Sequence, residues 1–250
     1  MFDDATSLLA VLAIAAFLAG FVDSIAGGGG LITVPALVLA GLSPVEALGT
    51  NKLQGLFGAG TAAWSYGRKG HVDLKAQWPS ALIAFAASMV GAVVATMVPG
   101  EWFRAVLPFL LVAIALYFWL KPGLDDVDKA ARLTPFIFMV TLVPLVGFYD
   151  GVFGPGTGSF FMLGFVSLAG YGVLKATAHT KLLNFASNVG GFVLFAWAGA
   201  IAWKIGLVMG IAQIAGARVG AALAMKNGAR LIKPLLVVTC FALAARLWLV

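Results

Sequence analysis

The chain has very little charge. Asp, Glu, Lys and Arg make up only 10% of its 250 residues, and hydrophobic residues make up 62%. Soluble domains carry about 25% charged residues. A chain of this length cannot hide so much apolar surface from water, so lipid must surround most of it. We expect one polytopic membrane domain, with no room for a soluble catalytic domain.

Several chemical features are also missing. The single cysteine, Cys240, excludes an internal disulfide bond, and His179 has no second ligand near it that would make a metal site. No Gly-Lys-Ser/Thr follows a glycine run, which excludes a P-loop. No catalytic cluster is present, so we expect neither an enzyme nor a cofactor. The net charge of +6 does not indicate nucleic-acid binding, because the basic residues lie mainly in short loops, where they set membrane topology.

What the sequence does contain is an internal repeat. Residues 20–30, with Asp23 ahead of four glycines, reappear as residues 147–157, with Asp150 ahead of a second glycine-rich stretch. Residues 50–53 reappear as residues 179–182. Each half therefore has an aspartate, a glycine-rich break and a lysine in apolar sequence. Charges in such segments are costly and usually functional, and interrupted segments at matching positions indicate a transporter's binding site.

The hydrophobic pattern divides into eight apolar blocks. The first and fifth are much longer than the ~20 residues that cross a bilayer, and glycine-rich stretches interrupt both. Each can either cross the membrane or enter and return to the same side. The second alternative lets the three basic loops, at 68–75, 121–132 and 226–233, all face the cytoplasm, as the positive-inside rule requires. The blocks lie at roughly 7–40, 45–66, 77–99, 102–120, 134–169, 172–197, 200–225 and 230–249.

We therefore predict an all-α membrane protein of two inverted repeats, each a broken or re-entrant helix plus three transmembrane helices. Repeat 1 covers residues 1–122, a cytoplasmic linker covers 123–133, and repeat 2 covers 134–250; together they form one transport domain. In this topology residue 42 lies outside the cell and residue 171 lies inside.

The breaks and the lysines are the expected substrate-binding elements. Helices that begin after the breaks would direct free N–H groups and positive dipole ends inward, which suits an anion. Lys52 and Lys181 are predicted to be cationic anchors at a central anion site; the alternative is that they snorkel to the membrane surface. The remaining predicted substrate-binding residues supply N–H or neutral polar groups: Gly28, Gly29, Gly30, Gly156, Thr157, Thr50, Asn51, Thr180 and Asn184.

Asp23 and Asp150, just before the breaks, are candidates for proton coupling, because a buried carboxylate can accept a transported proton. A structural role is the equal alternative: either one can cap N–H groups of the break, or pair with Lys52 or Lys181. Arg218 has no charged counterpart in the first half. It can either neutralise a substrate or reach the cytoplasmic interface, and we favour the second alternative.

These residues resemble the sulfite exporter TauE/SafE family, also called the toluenesulfonate uptake permease family. The resemblance spans nearly the whole chain. It is carried by the glycine run after Asp23 and the Pro35 that follows it, by residues 43–53, by residues 66–73, and by the weaker second copy that begins at Gly147.

The resemblance implies a multi-pass protein of the bacterial inner membrane. The implied function is a secondary transporter that moves a small anion such as sulfite, a sulfonate or sulfoacetate, coupled to protons and working by alternating access. The alternatives are an anion channel or a membrane scaffold without transport. The expected partners are the anion, protons and the lipid bilayer, with no nucleic acid; the oligomeric state stays open.

Overall fold

The computed structural model describes residues 5–97, 109, 112–113, 116–117, 119–120 and 125–249. Within these ranges the chain is all-helical, with no strand, and most of the predicted fourth block lies outside them. The main helices are α1 (Ala5–Ala26), α2 (Gly30–Leu39), α3 (Pro44–Arg68), α4 (Leu74–Ala95), α5 (Pro135–Val152), α6 (Thr157–Ser167), α7 (Val173–Trp197), α8 (Trp203–Asn227) and α9 (Ala229–Leu249).

The predicted first and fifth blocks are both broken at their glycines. Gly27 and Gly28 separate α1 from α2 with φ of 75° and 116°, and Gly154 and Gly156 separate α5 from α6 with φ of 78° and 86°. These angles are costly for residues with a Cβ atom. The glycines therefore allow the chain to leave the helix where the sequence predicted a break.

Each short helix returns along the long helix before it. Leu37 of α2 packs with Leu12 of α1 in one buried cluster, and the ring of Phe165 in α6 lies 4.8 Å from the ring of Phe138 in α5. The arms are unequal in both pairs. Helix α1 has 22 residues and α2 has 10, and α5 has 18 residues and α6 has 11. Both pairs are therefore hairpins with one long and one short arm.

Four helices of the described part are long and apolar enough to cross a membrane. They cover Thr6–Ala26, Leu74–Ala95, Pro135–Val152 and Trp203–Asn227. Helices α3 and α7 have 25 residues each, about 37 Å, and so also have sufficient length. They are less apolar because they pack against each other inside the bundle and carry many of its buried polar side chains.

Helices α3 and α7 run in opposite directions. A Cβ atom added to Gly191 of α7 would lie 3.0 Å from Cε of Lys52, and one added to Gly60 of α3 would lie 3.0 Å from the ring of Phe185. Positions late in α7 therefore contact positions early in α3. This antiparallel pair forms the centre of the bundle, and glycine allows the close approach.

The linker between the halves is attached to one end of the bundle. The carboxylate of Asp126 accepts hydrogen bonds of 2.9 Å from the N–H groups of Leu174 and Ala229, the first turns of α7 and α9. Capping suits an acidic side chain, since helix N-termini carry unpaired donors and partial positive charge. The linker and the basic loop at 226–233 therefore lie at the same end, as the topology prediction requires.

A second linker carboxylate, Asp128, binds the start of α7. It accepts a 2.8 Å hydrogen bond from the N–H of Gly172 and forms a 2.5 Å ion pair with Lys175. Partial burial raises the pKa of the Asp128 carboxyl, but the Gly172 N–H and the Lys175 ammonium group lower it more, so the net shift is downward. Asp128 therefore stays ionised at neutral pH and keeps its contact with α7.

Candidate functional site

The two glycine-rich breaks meet in the interior of the bundle. A Cβ atom added to Gly27 would lie 2.6 Å from the Cα of Gly158. Beside this contact the hydroxyl of Ser159 donates a 3.3 Å hydrogen bond to the carbonyl of Ala26. Main chain from one half therefore touches main chain from the other, and no side chain fits between them.

Each buried lysine is paired with the aspartate of the other half. Nζ of Lys52 lies 2.8 Å from Oδ2 of Asp150 and donates a 2.5 Å hydrogen bond to the main-chain carbonyl of Asp150. Nζ of Lys181 lies 3.3 Å from Oδ2 of Asp23. The lysine side chains are 0% and 1% exposed. Neither lysine snorkels to the surface, and the two ion pairs cross-link the halves.

Both aspartates also support the break beside them. Oδ1 of Asp23 accepts hydrogen bonds of 3.1 and 3.2 Å from the N–H groups of Gly28 and Gly29. Oδ1 of Asp150 accepts a 2.7 Å hydrogen bond from the hydroxyl of Thr157. The two structural alternatives, capping the break and pairing with a lysine, are therefore both realised at Asp23.

A cavity of about 30 Å³ lies between the breaks. One water molecule needs about 10–15 Å³ of such space, so there is room for about two. Its lining is mainly glycine, amide and carboxylate. The residues around it come from both halves: Asp23, Gly28, Gly29, Gly30, Asn51, Gly55, Asp150, Gly154, Gly156, Thr157, Gly158, Asn184, Asn188 and Gln213.

Most of the predicted site residues are at this cavity. Both lysines lie directly behind its glycines: Nζ of Lys52 is 3.5 Å from the Cβ position of Gly154, and Nζ of Lys181 is 3.4 Å from that of Gly158. The predicted residues that line it are Gly28, Gly29, Gly30, Gly156, Thr157, Asn51, Asn184, Asp23 and Asp150.

The two predicted threonines outside the lining set are Thr50 and Thr180. The hydroxyl of Thr50 accepts a 2.9 Å hydrogen bond from the N–H of Ala202, which joins α3 to the start of α8. The hydroxyl of Thr180 is buried and has no hydrogen-bond partner among the described residues.

Five lining residues were not among the predicted site residues: the glycines Gly55, Gly154 and Gly158, and the amides Asn188 and Gln213. Asn188 lies one turn after Asn184, on the same face of α7, and donates a 2.7 Å hydrogen bond to the Asn184 carbonyl. Glycines of α3 make room for both amides: a Cβ atom at Gly55 would lie 2.9 Å from Oδ1 of Asn188, and one at Gly58 would collide with Oε1 of Gln213. The sequence signal that could have identified these two amides is a polar side chain within an apolar helix. The glycine opposite each of them is known only from the packing of the helices.

Arg218 and His179 do not belong to the cavity. Arg218 is exposed on α8. The ring of His179 packs on Tyr171 and Phe165, and its Nδ1 contacts the side-chain oxygen of Gln77. Within the described residues no group of three or more His, Cys, Asp or Glu side chains is arranged to hold a metal ion.

The site is balanced in charge, with two lysines and two carboxylates. Burying such groups is tolerable only when they are paired. An anion that enters adds one or more negative charges. It can be accommodated if it takes the place of a carboxylate beside a lysine, or if a proton enters with it.

Comparison with known proteins assigns a family to the chain. The family model for Sulfite exporter TauE/SafE matches residues 12–247. A "Probable membrane transporter protein ORF9" from Sinorhizobium sp is 64% identical over 247 residues, covering 99% of this chain and 95% of that protein. "Probable membrane transporter protein YfcA" of Escherichia coli strain K12 is 45% identical over 240 residues, covering 96% and 89%. A "Probable membrane transporter protein" of Haemophilus influenzae is 44% identical over 245 residues, covering 98% and 96%. No solved structure matches the chain significantly.

Proposed function

We propose, from the premise that this chain belongs to the sulfite exporter TauE/SafE family of membrane transporters, that it moves a small anion across the bacterial inner membrane by alternating access coupled to protons. The observation that supports this most directly is the pair of fully buried lysines behind a glycine-lined cavity. Two buried ion pairs are costly, and an anion site at the point of contact between the halves gives their lysines a use.

The hairpins support alternating access. Residue 42 precedes α3 and residue 171 precedes α7, and these two helices run in opposite directions. We propose that the halves are inverted repeats whose re-entrant hairpins enter from opposite faces of the membrane, with residue 42 outside and residue 171 inside. Rocking of the halves about the contact between the breaks would then open the cavity to one side at a time.

The size of the cavity favours an anion of few atoms. With room for about two water molecules, it suits sulfite better than a bulky sulfonate, which would need a wider opening of the halves. The side-chain amides and Lys181 would hold its oxygens.

Transport in proteoliposomes tests this function. Purified protein is reconstituted, and uptake of radiolabelled sulfite is followed under an inward proton gradient. The proposal predicts accumulation above the outside concentration, with loss of accumulation in Lys181→Gln and normal accumulation in Arg218→Gln. The second variant is a matched control, because it also removes one cation from a membrane helix, at an exposed position. Equilibration without accumulation would indicate a channel, and the absence of flux with folded protein would indicate a scaffold.

A further inference from the structure

We propose that the two ion pairs have different functions: Asp23–Lys181 opens and closes in each transport cycle, with Asp23 carrying the proton, whereas Asp150–Lys52 is a static clamp between the halves. This inference rests on the proposed function. The sequence repeat treats the pairs as equivalent, and the structure shows that they are not.

The Asp150–Lys52 pair is tightly held. Lys52 makes two contacts with Asp150, one of 2.8 Å to the carboxylate and one of 2.5 Å to the main-chain carbonyl. Its side chain packs closely on α7, with Cε 3.0 Å from the Cβ position of Gly191, and the Asp150 side chain is 2% exposed. Release of Lys52 would leave a buried carboxylate and a buried carbonyl without their cation, which is strongly unfavourable.

The Asp23–Lys181 pair is looser and more exposed, although both aspartates line the cavity. The two side chains share one contact of 3.3 Å, and the Asp23 side chain is 15% exposed. Asp23 also has an anchor that does not depend on the lysine, because its other oxygen, Oδ1, accepts the N–H groups of Gly28 and Gly29. A proton on Oδ2 can therefore release Lys181 while the break keeps its shape.

The sequence explains why the two aspartates are anchored by different donors. When Asp23 is aligned with Asp150, Gly28 corresponds to Pro155. Proline has no N–H group to donate, so Asp150 cannot be held as Asp23 is, and it binds the hydroxyl of Thr157 instead. The departure from the glycine run in the second half therefore leaves its aspartate with one hydroxyl donor in place of two main-chain N–H donors.

The charge balance of the site then sets how many protons move with each anion. In the empty state the ammonium group of Lys181 is neutralised by the Asp23 carboxylate. When a monovalent anion such as hydrogen sulfite binds, its negative charge replaces that carboxylate, and one proton from water binds Oδ2 of Asp23. The net charge of the site is unchanged. One proton thus moves with each monovalent anion in the same direction, so an inward proton gradient drives uptake.

Few other groups can take part in this exchange. The charged or titratable groups that face Asp23 from the elements packed against it are Lys181 of α7, the Tyr66 hydroxyl of α3, which donates to the carbonyl next in sequence after Asp23, and Lys52 and Asp150 across the cavity. The α8 residues in contact with this part of α1 include Gly216, Gly220 and the neutral Gln213.

The test measures exchange and accumulation separately. In proteoliposomes the wild-type protein should concentrate radiolabelled sulfite, supplied at a pH where hydrogen sulfite predominates, about tenfold for each unit of pH difference, since one proton accompanies each anion. Asp23→Asn should still exchange labelled for unlabelled sulfite, and its accumulation should not respond to the pH gradient. Wild-type accumulation in Asp23→Asn would overturn the inference and leave the proposed function intact. No movement of sulfite by the wild-type protein would remove the proposed function itself.

The second pair supplies the control. The double variant Lys52→Gln/Asp150→Asn removes both charges, so it avoids the unpaired buried charge of either single variant. We expect slower transport from it, with the same tenfold response to each pH unit. This variant also decides the question if Asp23→Asn does not fold: an unchanged response supports the inference, and a lost response overturns it.

Discussion

The contact between the two breaks predicts a large effect for one methyl group. Gly27→Ala places a Cβ atom 2.6 Å from the Cα of Gly158 and 2.7 Å from the main-chain nitrogen of Ser159, and these main-chain atoms cannot rotate away. The left-handed conformation costs a residue with a Cβ about 1–2 kcal/mol, and overpacking adds about 1–3 kcal/mol. We expect the free energy of unfolding to fall by about 2–5 kcal/mol.

A matched control separates the cost of the left-handed conformation from the cost of overpacking. Gly70 has φ of 76°, against 75° for Gly27, and a Cβ atom there meets nothing within 4 Å. Gly70→Ala should therefore cost only the conformational term of about 1–2 kcal/mol. The measurement is unfolding of both variants and the wild-type protein in the same detergent micelles. Equal destabilisation by the two substitutions would refute the contact between the breaks.

Three further predictions concern one ion pair, one hydrogen bond and one exposed arginine. Lys52→Gln or Asp150→Asn alone should lower the free energy of unfolding by about 3–5 kcal/mol, because an uncompensated charge stays buried. The double variant should be closer to wild type in stability. If the effects of the two single variants simply added in the double variant, that would contradict the pairing. Tyr66→Phe should cost about 1–3 kcal/mol by leaving the acceptor of a buried 2.9 Å hydrogen bond unpaired, and unchanged unfolding would exclude that bond. Arg218→Gln should leave sulfite binding unchanged in calorimetry, because Arg218 is exposed on α8; weaker binding would place it at the site.

Much of the fold could be predicted because its signals are local. Long apolar runs predicted helices of membrane length, and the glycine-rich stretches predicted the breaks, since helix formation and its interruption depend on neighbouring residues. The inverted arrangement was inferred from the charge of the loops together with the three crossings in each half of the repeat. In the structure the antiparallel α3 and α7 agree with it, but the inverted repeat remains a prediction.

The pairing of charges could not be read from the sequence. Lys52 and Asp150 are 98 residues apart, and Lys181 and Asp23 are 158 residues apart. Which aspartate meets which lysine depends on how the helices pack, and the repeat alone allowed pairing within a half or between halves.

The repeat did not indicate which of two neighbouring polar residues faces the cavity. Thr50 and Asn51 were both assigned to the site, but successive residues of a helix point about 100° apart. Asn51 faces the cavity, and Thr50 faces the start of α8. Only the position of the neighbouring helices decides which of the two directions leads to the cavity.

Thermal unfolding of purified protein with anions tests the central claim, an anion site at the buried lysines, most directly. A ligand that binds the folded state raises its Tm. The panel is sulfite, sulfate, taurine, sulfoacetate, thiosulfate and simple carboxylates, applied to the wild-type protein and to folded Lys181→Gln and Arg218→Gln. The account predicts that sulfite raises the Tm of the wild-type and Arg218→Gln proteins and has no effect on Lys181→Gln. An equal shift in Lys181→Gln, or no shift from any anion in the wild-type protein, would contradict it.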